Sequence, residues 1–231
     1  MQIIMKSKRS TATVVTGLFF IAATVSAIVG AILYDPLLNN INYLADGAKN
    51  ANRIAGGALS EIFLCSANIG TAMMLYPYLR KFNESIGIGY VFFRFLEVVF
   101  IAIGVMSMLS LLTVSKAAVS GTLDMKSATA IGETLKASYH WAYILGPNLI
   151  LGINTFLYSY AFYKTGLVPK WLAVFGLVAA MLIFVAGTLL MFGAVPLSSA
   201  RHLLMALPIA TFEMVLAGRL LSRGVNQIAY D

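Results

Sequence analysis

The sequence is poor in the residues that build most soluble sites. It has one cysteine, Cys65, and two histidines, His140 and His202, and only 11% of its 231 residues are charged. A single cysteine excludes an intrachain disulfide and any cysteine-built metal site, and it leaves the redox compartment unreadable. Two histidines are too few for most histidine-based metal sites. Soluble domains carry roughly 25% charged residues, so this chain lacks the polar surface to cover a water-soluble globule. Also missing are Gly-x-Ser-x-Gly, His-Glu-x-x-His and a phosphate-binding loop. No catalytic residue, metal or cofactor is therefore assigned.

What is abundant is apolar. Hydrophobic residues make up 60% of the chain, and the mean hydropathy is +0.86. An integral membrane protein follows, with lipids as its first partners. The net charge of +7 would suggest nucleic acid in a soluble chain, but here basic loops explain it. A span needs about 20 apolar residues. Six stretches qualify, near 12–34, 56–79, 86–114, 140–163, 171–193 and 202–221. They are apolar on all sides and lack the alternation of a β-barrel. Lys6, Lys8 and Arg9 precede the first stretch as in a signal peptide, but its apolar run exceeds the roughly 7–15 residues of a signal, so it reads as an uncleaved span. The expected fold is an all-α integral membrane bundle of six transmembrane helices.

Basic residues set the expected orientation. With the N-terminus inside, nine lysines and arginines fall in cytoplasmic pieces and six outside, which favours both termini in the cytoplasm. Outside, Asp35-Pro36 reads as an N-cap followed by proline at the first helical position. Leu37, Leu38, Ile41, Leu44 and Ala45 then recur at helical spacing, and Gly47 could end the turn. The pattern predicts a short interfacial helix, and a weaker one near 127–138. Tyr34, Tyr43, Tyr139, Trp141 and Tyr143 sit where an outer aromatic belt is expected.

Ionisable groups within spans cost about 2.5–3.5 kcal/mol each on insertion scales and mark candidate sites. Four stand out: Glu61, Arg94, Glu97 and Glu213. Arg94 and Glu97 are three apart on one helix and can pair. Glu61, Cys65 and Asn68 form a stripe on the second helix, and Asn148 and Asn154 add amides from the fourth. Three carboxylates face one arginine, so a cation or a proton must join them. The candidate centre is Glu61, Arg94, Glu97, Asn148, Asn154 and Glu213, binding or transporting a proton, a cation or a small polar or amphipathic molecule. The alternatives are a membrane enzyme acting on a lipid or quinone, and a structural or sensory subunit in which polar groups only hold helices together. Pro147 and Pro208 each free a carbonyl one turn earlier, which makes either a packing kink or a cation ligand.

Three segments carry a resemblance. Tyr163-Lys164-Thr165-Gly166-Leu167-Val168-Pro169-Lys170-Trp171-Leu172 is followed by Gly176; Leu207-Pro208 leads through Glu213 to Gly224-Val225; and Leu75-Tyr76-Pro77 with Arg80-Lys81 precedes Gly89-Tyr90 and Arg94-x-x-Glu97. Together they resemble domain-of-unknown-function family 4386, multi-pass membrane proteins of bacteria and archaea. Thr165 stands where that family usually has serine, and Ala217-Gly218-Arg219 where it often has a tryptophan. The resemblance implies a six- or seven-helix protein of a prokaryotic plasma membrane with no established activity. It also implies that Arg94, Glu97 and Glu213 are family features.

Overall fold

The computed structural model describes residues 7–197 and 199–226. Lys6, one of the basic residues counted toward orientation, lies outside the described residues. In chain order the elements are β1 (Ser7–Lys8), α1 (Thr11–Leu33), α2 (Asp35–Leu38), α3 (Tyr43–Lys49), α4 (Ala51–Phe82), α5 (Glu84–Val119), α6 (Met125–Tyr143), a π-helical segment (Ile144–Ile150), α7 (Leu151–Thr165), α8 (Lys170–Met191), α9 (Ala200–Ser222) and β2 (Val225–Asn226). The architecture is an all-α bundle of six rods, of which α6, the π segment and α7 together make the fourth. The first and last described elements meet at one end of it, the termini end, where β1 and β2 pair antiparallel.

Among the described residues five helices, α1, α4, α5, α8 and α9, are long and apolar enough to cross a membrane. At 1.5 Å per residue α4 and α5 extend about 48 and 54 Å, well beyond the ~30 Å of a bilayer core. The stretch expected at 140–163 is not a single α-helix. It begins inside α6 and is interrupted by the π segment at Pro147. Proline has no N–H to offer the carbonyl of Tyr143, and the widened turn relieves the clash of its ring. The Asn148 side chain donates to that Tyr143 carbonyl at 3.0 Å. The freed oxygen is thus occupied by the chain itself.

The short helices differ from expectation in detail. The helix read from residue 35 onward is two, α2 and α3, separated by a turn at Asn39–Asn42, where asparagine side chains favour non-helical backbone. Tyr34, not Asp35, occupies the N-cap position. Gly47 lies within α3 rather than ending it, because a Cβ there would stand 2.5 Å from Leu37 and 2.9 Å from Ser115. The segment 127–138 belongs to α6, capped by Asp124, whose side chain accepts from the Ser127 N–H at 2.9 Å. The Ser127 side chain, together with that backbone bond, holds the Asp124 carboxyl below its ordinary range. Burial and the nearby Glu133 raise the Tyr43 phenol to about 12, so it stays neutral and donates to the Thr129 carbonyl.

Two apolar cores sandwich a polar layer. The one at the termini end gathers Phe20, Tyr90, Tyr158, Phe162 and Phe212; the one at the far end gathers Tyr34, Leu37, Met108, Leu111 and Tyr139. Large apolar side chains such as Phe63, Phe92, Met106 and Leu204 point outward, the surface of a protein solvated by lipid. Helix contacts are set by small residues. At the far end α1 lies on α4, where a Cβ on Gly57 would stand 2.8 Å from the Tyr34 ring. At the termini end α1 lies on α9, where a Cβ on Gly17 would meet Leu221 at 2.9 Å and the Ala217 carbonyl at 3.0 Å. Gly57→Ala should therefore force α1 off α4 and cost about 1–3 kcal/mol. Its melting temperature in detergent should fall, and an unchanged value would show that α1 is not held there.

Candidate functional site

The polar layer is built around Arg94 on α5, which is 1% exposed. Its Nη1 donates to Glu97 Oε2 at 3.0 Å and Oε1 at 3.3 Å, one helical turn on, and to Asn68 Oδ1 on α4 at 3.3 Å. Asn68 Nδ2 returns a bond to Glu97 Oε1 at 3.2 Å, and Asn154 Nδ2 from α7 donates to Glu97 Oε2. Both carboxylate oxygens are thus occupied by donors from α4, α5 and α7. The Tyr90 ring lies 5.8 Å from the guanidinium carbon, and the Tyr90 hydroxyl donates to Thr71. The cluster is tightly bonded on its α4 and α7 sides. It binds three helices, and such bonds are worth more in an apolar medium than in water.

Glu213, on α9, is attached more loosely. Its Oε1 is 3.9 Å from Arg94 Nη2, and neither that nitrogen nor Nε makes a hydrogen bond among the described residues. On this side the bundle is open. A cavity of about 270 Å³ reaches Glu61, Asn68, Arg94, Glu97 and Glu213. It is lined by Thr24, Ala27, Ile28 and Ala31 on α1 and by Ala206, Ile209 and Ala210 on α9. The reason is geometric. The two helices touch at the termini end, through Gly17, Ala217 and Leu221. At the far end α1 leans on α4, while the start of α9 leans on the π segment through His202 and Asn148. They splay into a V whose open side is lateral.

Glu61 occupies a separate place in the same cavity. Seven residues separate it from Asn68 on α4, or about 10 Å toward the far end. It is 8% exposed and has no ion-pair partner among the described residues. The Tyr34 hydroxyl and the Tyr139 ring lie beside it, and these two rings meet edge to face at 5.7 Å. Gly30 allows the approach, since a Cβ there would stand 2.9 Å from Glu61 Cγ.

The structure thus brings Arg94, Glu97 and Asn154 into direct contact, with Glu213 adjoining and Glu61 two turns away. Asn148 is not with them. Its Oδ1 faces His202 Nε2 at 3.1 Å, and His202 Nδ1 faces the Leu197 carbonyl at 3.0 Å. His140 is half-buried beside Tyr139 and does not face His202's ring nitrogens. No group of three or more His, Cys, Asp or Glu side chains among the described residues is arranged to hold a metal. Sequence reasoning passed over Asn68 as a member of the centre, although its stripe with Glu61 was visible. It also placed Tyr34 and Tyr139 in an outer aromatic belt, whereas both are buried. A further lock had no sequence signal: Asn226 donates to the Gly166 carbonyl at 2.7 Å and accepts from Arg219 at 2.9 Å, tying the α7–α8 loop to the end of α9.

The bonding pattern makes the two acids unequal. Arg94→Ala leaves Glu97 buried without its cation and should cost about 3–5 kcal/mol. Glu61→Gln breaks no bond of this cluster and should leave the melting temperature nearly unchanged. Thermal unfolding in detergent compares the two, and equal destabilisation would contradict this division of roles.

A family model described as "Domain of unknown function (DUF4386)" matches residues 15–224. No curated protein and no solved structure gives a significant match. The match spans every helix of the bundle and contains Glu61, Arg94, Glu97 and Glu213, and the chain belongs to this family of unknown function.

Proposed function

We propose that the protein binds, and passes along, a small molecule with a polar group on an apolar body, held in the cavity between α1 and α9. One observation carries this reading. The cavity is walled mostly by apolar side chains, has ionisable groups on its surface, and is lined by both α1 and α9, helices whose outward faces are apolar. A pocket that is mostly apolar with a few convergent polar groups is the usual form of a small-molecule site. A lateral mouth suits a ligand that partitions into lipid. The purely structural reading accounts for Glu97, Asn68 and Asn154, which bond one another and the Nη1 of Arg94. It does not account for Glu61 or the open V.

The setting that goes with this function is a six-span bundle in the plasma membrane of a prokaryote, with both termini in the cytoplasm. The compound rod of α6, the π segment and α7 then makes the sixth crossing, and α2 and α3 lie at the outer face. Lys164 and Lys170 flank the inner loop, as the excess of basic residues inside requires. The mouth of the V then opens in the outer half of the bilayer.

Native mass spectrometry of the detergent-purified chain tests the reading. A discrete bound mass is expected on the unaltered protein. It should be lost from Ala210→Phe, which fills the mouth, and retained by Val178→Phe, an exposed position away from the cavity. A bound mass indifferent to Ala210→Phe, or none at all, counts against it.

A further inference from the structure

We propose that the ligand is an organic cation, a protonated amine on a compact apolar body, and that Glu61 is its counter-ion. This rests on the cavity's being a ligand site and adds the charge and the anchoring residue.

The argument starts from the charges that line the cavity. Its only basic lining residue is Arg94, against Glu61, Glu97 and Glu213. Arg94 is committed to Glu97 at 3.0 Å, and what remains of it faces Glu213 at 3.9 Å. Glu61 makes no ion pair among the described residues. Two other basic side chains of the far end are held elsewhere, Arg53 on the Ile32 carbonyl and Lys136 over the Tyr43 ring beside Glu133. A buried carboxylate without a partner is expensive in an apolar medium. An ammonium group from outside the chain supplies the missing charge.

The surroundings of Glu61 match that chemistry rather than a bare metal ion. A small inorganic cation needs several oxygen ligands, and Glu61 offers one carboxylate beside a phenol. Ammonium groups are held by a carboxylate together with aromatic rings. Tyr139 lines the cavity with Glu61 and meets the Tyr34 ring edge to face at 5.7 Å, and the Tyr34 hydroxyl, beside the Glu61 carboxyl, has no other hydrogen-bond partner among the described residues. That hydroxyl is free to orient the carboxylate or the ligand. Leu64, Ile101, Ala142 and Ile28 provide the apolar wall for the rest of the molecule. Glu213, 3.9 Å from Arg94 on α9, makes a second acidic station in the same cavity.

Three compounds that share one rigid apolar cage separate charge from shape: 1-aminoadamantane, 1-adamantanol and 1-adamantanecarboxylic acid. Binding to the full chain in lipid nanodiscs is measured by calorimetry. The amine should bind at least ~10-fold more tightly than either the alcohol or the acid. Glu61→Gln should remove that preference while leaving the alcohol's affinity unchanged, and Glu213→Gln should have the smaller effect. The comparison of the three compounds on the unaltered chain needs no variant to fold. If the alcohol binds and the amine gains nothing, the cavity remains a site and the cationic ligand is wrong. Preference for the acid would assign the free edge of Arg94 as the anchor instead. No binding of any of the three overturns this proposal and the cavity reading together. Amine binding that survives Glu61→Gln overturns the assignment of Glu61.

Discussion

The guanidinium of Arg94 is the constraint around which the bundle is arranged. A fixed positive charge in the apolar interior is tolerable only if its partners come with it and their remaining lone pairs are filled. Glu97 is one turn away on the same helix, so the charge is matched before any tertiary contact forms. The leftover acceptors and donors then fix the neighbours. Asn68 bonds both members of the pair and sets the register of α4 on α5, and Asn154 bonds Glu97 and sets that of α7. A one-turn slip of either helix would take from a Glu97 oxygen one of its two donors. The polar layer therefore specifies alignment where the surrounding apolar contacts, interchangeable in lipid, would not.

The same constraint explains where the bundle is open. Nη1 carries the bonds to Glu97 and Asn68, and the other side of the guanidinium turns toward α9, where Glu213 stops at 3.9 Å. α9 is therefore fixed by its ends rather than its middle. Asn226 and the glycine contact with α1 hold the termini end, and His202 on Asn148 holds the other. Between these points the cavity lies between α1 and α9, and several of the residues lining it, Ala27, Ala31, Ala206 and Ala210, are too small to fill the gap. The cavity follows from two helices being committed to different neighbours at their far ends.

Much of this was legible in the sequence. Long all-round apolar runs mark five helices because lipid imposes a length and a composition on each. The i, i+3 spacing of Arg94 and Glu97 marks their pairing because helical geometry leaves those side chains little choice. Other features depend on information one sequence does not display. Asn148 and Asn154 both sit in the fourth rod, six residues apart, and which of them meets Glu97 depends on how the π segment rotates the helix between them. Tyr34 has the composition of an interfacial aromatic, but Gly57 draws α1 close and turns the ring inward. The Asn226 lock joins positions 60 residues apart through a carbonyl, and no side-chain pattern encodes a backbone acceptor. Local periodicity was readable, and the choice among possible tertiary partners was not.

The two kinds of acid in the bundle differ in what their burial accomplishes. Glu97 offsets its own desolvation by matching Arg94 and by collecting two amide bonds that align three helices. Glu61 makes no such return. It carries a carboxyl's insertion cost of about 2.5 kcal/mol or more, holds no helix in register, and presents its acid to a cavity rather than to a partner. Glutamine or leucine at that position would pack against Gly30 and Leu64 at less cost. A fold needs Glu97 to assemble, but it can assemble without Glu61, and the feature of Glu61 that packing does not explain is its charge. The function is therefore to be sought at the acid that contributes least to stability, at the aromatic end of the cavity, rather than at the more conspicuous ion pair in the centre of the bundle.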